Sequence, residues 1–306
     1  MAEARYQRLP NRAVDATDVI VLPVPYEQTV SYKGGTARAP ETILAATEQL
    51  EYYDEDQRWS PFKYMGITVL APFEKHPQEG ERDFHRRLQQ YAASLPAKPL
   101  LLALGGEHSI TPDLVQGRMN APGTVIVLDA HADLRREFEG SRFSHACPMH
   151  HLREAGHEIL MVGVRSLLDE EARRIDGDPG LRCFLDRELQ RPECWRALLD
   201  AIHALSGPAW LTIDMDVFNP AVVPGVGTPQ PGGLSWYQAL ALIEACLFNQ
   251  RLRLRGCDLV ELVPEPSCVS AMTAAKLSHK LISWWGKSQR LDERLERGSQ
   301  TEVDYH

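Results

Sequence analysis

Short runs of apolar residues recur along the chain, and several of them are apolar at consecutive positions rather than at alternate ones. A strand that is buried on both faces of a sheet has this pattern, so the runs predict strands of a parallel sheet. Eight short β-rich runs are present, at residues 19–22, 67–70, 100–104, 125–128, 159–162, 183–185, 211–213 and 259–262.

Longer segments with the period of an amphipathic helix lie between these runs. Examples are residues 41–51, 83–94, 194–205, 236–247 and 271–284. An alternation of strands and helices predicts an α/β fold, with helices on both faces of a mostly parallel sheet of about eight strands. Such a sheet uses almost the whole chain, so we expect one catalytic domain over residues 1–286 and a charged C-terminal tail over residues 287–306.

Polar residues that can bind metal ions begin where several of the apolar runs stop. His108 follows one run after two glycines, and Asp129, His131 and Asp133 follow the next run. In an extended segment, residues at positions i, i+2 and i+4 point the same way. Because a parallel sheet binds its ligands beyond the carboxyl ends of its strands, we expect these side chains to converge.

A third strand end supplies a second acidic pair, Asp214 and Asp216. A single Asp-x-Asp after a strand is often only a turn or a helix cap, but a set of four Asp and two His at strand ends is more specific. The charges of four carboxylates are balanced by two divalent ions, and without cations several carboxylates would have to stay protonated. Carboxylate-rich ligation with one imidazole for each ion favours Mn²⁺ over Zn²⁺. The pattern therefore predicts two Mn²⁺ ions per chain.

Composition narrows the class of function. The chain has 306 residues and a net charge of −9 at pH 7, which is not typical of a protein that binds nucleic acid. No apolar run approaches the ~18 residues of a membrane-spanning helix, and the N-terminus lacks a signal-peptide pattern. The six cysteines show no Cys-x-x-Cys spacing and are interpreted as reduced thiols. We therefore expect a cytoplasmic protein with no nucleic-acid and no membrane partner.

At these motifs the sequence resembles the ureohydrolase family, which includes arginase, agmatinase, guanidinobutyrase and formimidoylglutamase, and it is most like agmatinase. The matching segments occur in family order and cover roughly residues 19–285. They are Gly105-Gly-Glu-His108-Ser, Asp129-Ala-His-Ala-Asp133, Ser144-His145-Ala, Asp214-Met-Asp216-Val-Phe-Asn-Pro220, Pro224-Gly-Val-Gly-Thr-Pro-Gln-Pro-Gly-Gly233 and Glu261-Leu-Val-Pro264.

The resemblance implies the three-layer arginase/deacetylase-like fold, two Mn²⁺ ions and a homo-oligomer, either a trimer or a hexamer. It assigns the ligands of one ion to His108, Asp129, Asp133 and Asp214, and those of the other to His131, Asp129, Asp214 and Asp216. It also implies that His145 shuttles protons and that Glu261 holds the guanidinium of the substrate. Both roles suit the residue types, because a carboxylate grips a planar guanidinium and a histidine can donate a proton near neutral pH.

The expected reaction is hydrolysis of a guanidino group with release of urea. Water activated between the two ions attacks the guanidinium carbon, Asp133 orients the attacking oxygen, and His145 delivers a proton to the departing amine. A non-catalytic assembly protein that keeps the metals only for stability is the alternative from another class, but it would need neither His145 nor Glu261. A deacetylase is disfavoured, because deacetylases of this fold use a single zinc and lack the full ligand set.

The loop after Asp133 bears on the substrate. Arginases have an Asn there that helps to recognise the α-carboxylate, whereas this chain has Arg135. The loop resembles the agmatinase form, which predicts agmatine as the substrate, putrescine as the product and a role in polyamine biosynthesis. Glu137 and Glu139 are candidate partners of the substrate ammonium. Arg135 and Arg142 could instead accept the carboxylate of guanidinobutyrate, the second choice, and arginine is the third.

The chain also departs from the usual family pattern at Glu107, where Asp is common, and at Ala39, where Gly is common. Neither residue is a predicted ligand. Ala39 lies in a long loop at residues 26–40, and a second long loop spans residues 219–233. Long loops in a compact domain are usually functional or disordered, and the loop that contains Ala39 is expected to shape the site of the substrate tail.

Overall fold

In the computed structural model, one sheet organises residues 3–295, the part of the chain that is described. Its strands are β1 (Val19–Val24), β2 (Ile67–Val69), β3 (Leu100–Gly105), β4 (Thr124–Leu128), β5 (Glu158–Val164), β6 (Leu181–Leu185), β7 (Gly207–Asp214) and β8 (Leu252–Val260). Their order across the sheet is β2-β1-β3-β8-β7-β4-β5-β6, and every neighbouring pair is parallel. The predicted α/β fold with a parallel sheet of eight strands is confirmed.

Helices cover both faces of this sheet. Those of the described residues are α1 (Ala39–Thr47), α2 (Glu81–Ser94), α3 (Thr111–Arg118), α4 (Pro148–Glu154), α5 (Asp169–Gly177), α6 (Pro192–Ala204), α7 (Trp236–Leu247) and α8 (Val269–Ser288). Ile43 of α1 and Leu277 of α8 belong to the hydrophobic core on one face. Phe84 of α2 and Met149 of α4 belong to the core on the other. The result is the expected arrangement of three layers.

Local signals explain where some helices begin. The side chain of Ser235 accepts a hydrogen bond from the backbone N–H of Gln238, and the side chain of Gln238 accepts one from the backbone N–H of Ser235. This reciprocal cap fixes the start of α7, whose bounds coincide with the predicted helix at residues 236–247. Pro148 and Pro192 each occupy the first position of a helix, where the missing N–H of proline costs nothing.

The position predicted for the eighth strand was largely wrong. The apolar run at residues 259–262 marks only its end, because β8 begins at Leu252. The first residues of the strand alternate leucine with exposed Arg253 and Arg255, so they do not form an apolar run. The short helices α3 and α5 were not predicted either: α3 contains proline and glycine, and α5 is mostly charged.

The strands that carry the predicted site are neighbours in the middle of the sheet. β3, β8, β7 and β4 are consecutive, although β8 is the last of these strands in the chain. Gly106 allows the end of β3 to approach the segment after β1, since a Cβ at Gly106 would lie 1.9 Å from the carbonyl oxygen of Tyr26. Only glycine fits that approach, and the backbone then leads directly to His108.

The described chain continues beyond the expected end of the catalytic domain at residue 286. Helix α8 extends to Ser288, and Arg294 then pairs with Asp18 at 2.8 Å. The remainder of the expected tail, residues 296–306, lies outside the described residues. Of the helices between residues 3 and 295, none combines the length and the apolar character needed to cross a bilayer.

Candidate metal centre

The structure brings the six predicted metal ligands to the carboxyl edge of the central strands. Potential ligand atoms form two overlapping groups, within each of which they lie within 4.8 Å of one another. The groups are His108, Asp129 and Asp133, and Asp129, His131 and Asp216. Asp214 adjoins them, because its Oδ2 lies 3.5 Å from Nδ1 of His108. Asp129 is common to both groups and therefore lies between two possible metal positions.

His108, just beyond the end of β3, is fully buried. Its Nδ1 lies 3.1 Å from Oδ2 of Asp133 and 3.2 Å from Oδ2 of Asp129. Its Nε2 is 2.9 Å from Oγ1 of Thr212. Nδ1 is therefore the atom of this imidazole that a metal ion would use.

His131, which follows β4, belongs to the second group. Its Nδ1 lies 3.0 Å from Oδ2 of Asp216 and 3.7 Å from Oδ1 of Asp129. Its side chain is 24% exposed, whereas that of His108 is 0% exposed. The second metal position is therefore the more open of the two.

Without a bound cation, the crowded carboxylates at this edge of the sheet carry an electrostatic free-energy cost. Burial, together with the charge of Asp129, raises the pKa of Asp133 to about 7. Burial and the charges of Asp216 and Asp129 raise the pKa of Asp214 well above its usual range. Oδ2 of Asp129 is buried, and although Nδ1 of His108 lies 3.2 Å away, the geometry of that contact leaves the oxygen without a hydrogen bond among the described residues. Divalent cations would relieve both penalties, so the donor set fits two metal ions.

The neighbouring carboxylates also shift the pKa of His131. Burial lowers the pKa of His131, but hydrogen bonds to Asp129 and Asp216 outweigh burial and raise this pKa to about 11. A metal ion would replace the proton that is held here, so we expect metal binding to release protons and to weaken at low pH. Carboxylate oxygens with one imidazole at each position are donors that suit Mn²⁺.

Two residues of the site have a left-handed backbone, which is costly for residues other than glycine. The φ angle is 51° at Asp133 and 63° at Glu261. A non-glycine residue in this conformation costs about 1–3 kcal/mol and persists only where its surroundings fix the backbone. Both carboxylates line the same cleft, so the strain is located where the sequence predicts the chemistry.

This cleft has a volume of about 290 Å³, and both Glu261 and His145 line it. Glu261 follows β8, and its Oε1 accepts a hydrogen bond of 2.7 Å from the backbone N–H of His108. Burial and the charge of Glu107 raise the pKa of Glu261 well above its usual range. Gly227 lies beside this carboxyl group, where a Cβ would be 3.8 Å from Oε2. The carboxyl group is thus fixed on one side and bordered by a residue without a side chain.

His145 is held by two hydroxyl groups that the sequence did not single out. Oγ1 of Thr29 lies 3.0 Å from its Nδ1, and Oγ of Ser31 lies 2.8 Å from its Nε2. Burial and the positive charge of His131 lower the pKa of His145 to about 4, against the hydrogen bond with Thr29. The imidazole is therefore neutral at pH 7. The only available signal for Thr29 and Ser31 was their place in the long loop at residues 26–40.

The side chain of Glu107 binds the loop at residues 26–40 through hydrogen bonds. Its Oε2 accepts hydrogen bonds of 2.8 Å from the backbone N–H groups of both Gln28 and Thr29. Its Oε1 accepts from the hydroxyl of Thr29 at 3.1 Å and from that of Ser109 at 2.6 Å. The side chain is buried, and burial raises its pKa. One carboxyl group thus joins the loop over the cleft to the end of β3.

The outer part of the cleft combines apolar and basic side chains. Leu167 and Leu168 line it and are 37% and 43% exposed. Lys33 and Arg135 also line it, and the guanidinium of Arg135 lies 4.4 Å from the centroid of the Phe138 ring. The two leucines can contact a methylene chain, and Arg135 adds a cation that is stacked on an aromatic ring.

The positions of Glu137 and Glu139 bear on the predicted acidic rim. Glu137 and Glu139 are exposed and are not among the residues that line the cleft, and the same holds for Arg142. The role of these two glutamates as partners of a substrate ammonium stays a prediction, since neither lines the cleft. Glu171 is a buried carboxylate that does line the cleft, and its two oxygens accept hydrogen bonds from the backbone N–H groups of Leu134 and Leu168.

Comparisons with known proteins agree with this geometry. A model of the arginase family matches residues 17–283. An N(1)-aminopropylagmatine ureohydrolase of Synechocystis sp. is 40% identical over 281 residues, which cover 89% of this chain and 90% of that protein. An agmatinase of Pyrococcus horikoshii is 32% identical over 279 residues, which cover 90% and 94%. The crystal structure of the agmatine ureohydrolase of Thermoplasma volcanium has the same fold, with a TM-score of 0.79 at 24% identity over 92% of this chain and 94% of that one.

Proposed function

This chain belongs to the arginase family, and we propose that it is a ureohydrolase that releases urea from agmatine or from its N(1)-aminopropyl derivative. The observation that carries the proposal is the pair of overlapping carboxylate–imidazole groups beneath a cleft that Glu261 and His145 line. A metal site kept only for stability or assembly would need the ligands alone. A second buried carboxyl group and a neutral histidine in the same cleft support catalysis instead.

Two Mn²⁺ ions are the proposed cofactor. The ligands of the first would be His108, Asp129, Asp133 and Asp214, and those of the second would be His131, Asp129, Asp214 and Asp216. Bound there, the ions would supply activation of water at neutral pH and stabilisation of the charge that develops on the substrate during attack.

The side chains around the ions have separate tasks. Glu261 binds the planar guanidinium through its carboxylate, with its orientation fixed by the backbone N–H of His108. Asp133 accepts a hydrogen bond from the attacking water and aims it at the guanidinium carbon. His145, which is neutral at pH 7, takes a proton as the C–O bond forms and gives it to the amine nitrogen as the C–N bond breaks. The products are urea and the amine.

The outer cleft supports a substrate with an aliphatic, amine-bearing tail. Leu167 and Leu168 can contact methylene groups, and Glu171 can face an ammonium. The name of the relative with 40% identity points to the N(1)-aminopropyl compound, and that of the archaeal relative points to agmatine itself. We favour the aminopropyl compound because the identity is higher.

A comparison of rates tests this proposal. Urea release is measured with Mn²⁺ added, from N(1)-aminopropylagmatine, agmatine, guanidinobutyrate and arginine. We expect both amine-tailed compounds to exceed arginine in kcat/KM by at least about tenfold, because the relatives at 40% and 32% identity are named for these two compounds. Arginine as the best substrate would refute the tail assignment, and no urea from any compound would refute the proposed function.

Arg135 supports a second candidate, a guanidino acid such as guanidinobutyrate. Its guanidinium lies at the cleft and could pair with a carboxylate. The variant Arg135→Gln separates the two candidates, since it should abolish a preference for guanidinobutyrate and leave the rate with agmatine within about twofold. Arg142→Gln is the matched control, because Arg142 is exposed and outside the cleft.

We also propose the cellular setting that the family resemblance implies. The chain would act in the cytoplasm, in polyamine biosynthesis, as a homo-oligomer. Light scattering coupled to size-exclusion chromatography tests the oligomer, and a trimer or a hexamer is the expected result. Metal analysis of protein prepared with Mn²⁺ should approach two ions per chain.

A further inference from the structure

Behind His108, on the side away from the cleft, a chain of hydrogen bonds enters the core of the sheet. Nε2 of His108 lies 2.9 Å from Oγ1 of Thr212, and this hydroxyl donates to Oδ1 of Asp258 at 2.5 Å. The indole Nε1–H of Trp210 donates to Oδ2 of Asp258 at 2.6 Å. The hydroxyl of Thr111 approaches Oδ1 at 3.3 Å. All five side chains are fully buried.

The sheet register places these groups together. Thr212 on β7 is directly opposite Asp258 on β8, and Asp258 is opposite Ala103 on β3, the strand that leads to His108. Burial raises the pKa of Asp258, while the charge of His108 and the hydrogen bonds from Thr212 and Trp210 lower it. Apolar residues of similar volume commonly serve a sheet core as well as a buried carboxylate does. The carboxylate therefore calls for a role beyond packing.

The direction of each hydrogen bond follows from the groups themselves. The indole N–H of Trp210 can only donate, so it occupies Oδ2 of Asp258, and the hydroxyl of Thr212 donates to Oδ1. The hydroxyl proton of Thr212 therefore points to Asp258, and its oxygen is left to accept a proton from Nε2 of His108. A neutral imidazole that carries its proton on Nε2 has a free lone pair on Nδ1. That nitrogen faces Asp129 and Asp133, which is where the metal would bind.

We propose that Asp258 is a positioning residue that acts through Thr212 to hold His108 in the tautomer and orientation that bind metal through Nδ1. The inference rests on the dinuclear centre of the proposed function. Residues that hydrogen-bond the second ring nitrogen of a metal-binding histidine fix the orientation of the ring. Loss of such a residue typically weakens metal affinity by about 10–100-fold. Asp258 itself does not contact the substrate cleft.

The variant Asp258→Asn should reverse the direction of the hydrogen bonds from residue 258 to His108, with almost no change in the shape of the side chain. Its carbonyl oxygen must face the indole of Trp210, so its amide N–H group faces Thr212. The hydroxyl of Thr212 then accepts from the amide and turns its proton toward Nε2 of His108. The imidazole is forced to carry its proton on Nδ1, which cannot then bind a metal.

Metal titration tests the proposal without relying on activity. Metal-free protein is titrated with Mn²⁺, and free Mn²⁺ is followed by electron paramagnetic resonance. We expect Asp258→Asn to bind one ion about 10–100-fold more weakly than the wild type does and to keep the other within about threefold. The matched control is Asp113→Asn, another largely buried carboxyl group that binds a histidine, His85, at 2.6 Å but belongs to no ligand group. It should bind both ions as the wild type does.

A second pair of variants keeps the test decisive if Asp258→Asn folds poorly. Thr212→Val removes the hydroxyl and should weaken one ion in the same way, whereas Thr212→Ser keeps the hydroxyl and should restore wild-type affinity. Two ions bound with wild-type affinity in both Asp258→Asn and Thr212→Val would overturn the inference. So would equal weakening in Thr212→Ser and Thr212→Val. A wild-type protein that never binds a second ion would instead refute the proposed function, and this inference with it.

Discussion

Replacing Glu107 with glutamine should loosen the loop over the cleft without unfolding the protein. The carboxylate accepts two backbone N–H groups from the loop, those of Gln28 and Thr29, each at 2.8 Å. The amide of glutamine can keep its oxygen toward these two donors, because the hydroxyls that face the other carboxylate oxygen can rotate and accept instead. The contacts therefore remain, but they lose the contribution of the charge.

The expected magnitude follows from those two contacts. A hydrogen bond to a charged group contributes about 1.5–3 kcal/mol, and one between neutral groups contributes about 0.5–1.5 kcal/mol. Two bonds weakened by about 1 kcal/mol each lower the free energy of loop opening by about 2 kcal/mol, which is roughly a 30-fold increase in the open population. Global stability should change less, because burial already penalises the charge of Glu107, as its raised pKa indicates.

Amide hydrogen exchange measures this opening directly. The amides of Gln28 and Thr29 should exchange about 30-fold faster in Glu107→Gln, whereas that of Gly106, which donates to the carbonyl of Val24, should not change. Ser109→Ala is the matched control, since it removes one hydroxyl donor and leaves both backbone bonds. Turnover should fall in Glu107→Gln with metal content unchanged, because Thr29 also positions His145, the proposed proton carrier. Unchanged exchange at both loop amides, or an equal increase across the whole chain, would refute the reasoning.

Four further predictions concern the centre itself. His145→Ala should lower kcat by about 10²–10⁴-fold at constant metal content, and loss of metal would contradict its assigned role. The pKa of His145 is near 4 in the folded protein and about 6.5 in the unfolded chain. The free energy of unfolding of the metal-free wild type should therefore fall by up to about 3 kcal/mol as the pH falls from 6.5 to 4. Denaturation of His145→Ala should not show this loss. Glu261→Gln should lower kcat/KM by about 10–100-fold for every guanidino substrate, and a loss confined to one tail would argue against a grip on the guanidinium. In metal analysis, Asp129→Asn should retain neither ion and Asp216→Asn should retain one; equal counts would show that Asp129 is not shared.

The convergence of the six candidate metal ligands could be predicted from the sequence because each lies within a few residues of the end of an apolar run, and the sheet brings the ends of parallel strands to one edge. The partners of the proposed catalytic groups could not be predicted in the same way. Glu107 and Thr29 are separated by 78 residues along the chain, and only the close approach at Gly106 brings the two segments together. Asp258 left one signal, a charged residue inside the apolar half of β8, where an acidic side chain is rare unless it has partners.

The fold was predicted best where periodicity was strong and local. Helix α7 has a reciprocal cap and a clear apolar face, and its bounds coincided with the prediction. The first half of β8 was missed because the exposed arginines interrupt the leucines, and only its place between β3 and β7 makes it a strand. Tertiary pairing thus decided an element that local pattern left open.

The central position of β8 in the sheet has a consequence for folding during synthesis on the ribosome. Until Leu252–Val260 has been made, β3 and β7 have no partner between them, so the nascent chain holds two half-sheets with open edges. Open edges invite pairing with other chains, and domains of this size commonly pass through aggregation-prone intermediates. The ligands contributed by β3 and by β7 can meet only after nearly nine-tenths of the described chain has been synthesised. The metal position that includes His108 can therefore be completed only late in synthesis, and a chain released after residue 250 should lack it. The position formed by Asp129, His131 and Asp216 comes from the neighbouring strands β4 and β7 and does not depend on β8.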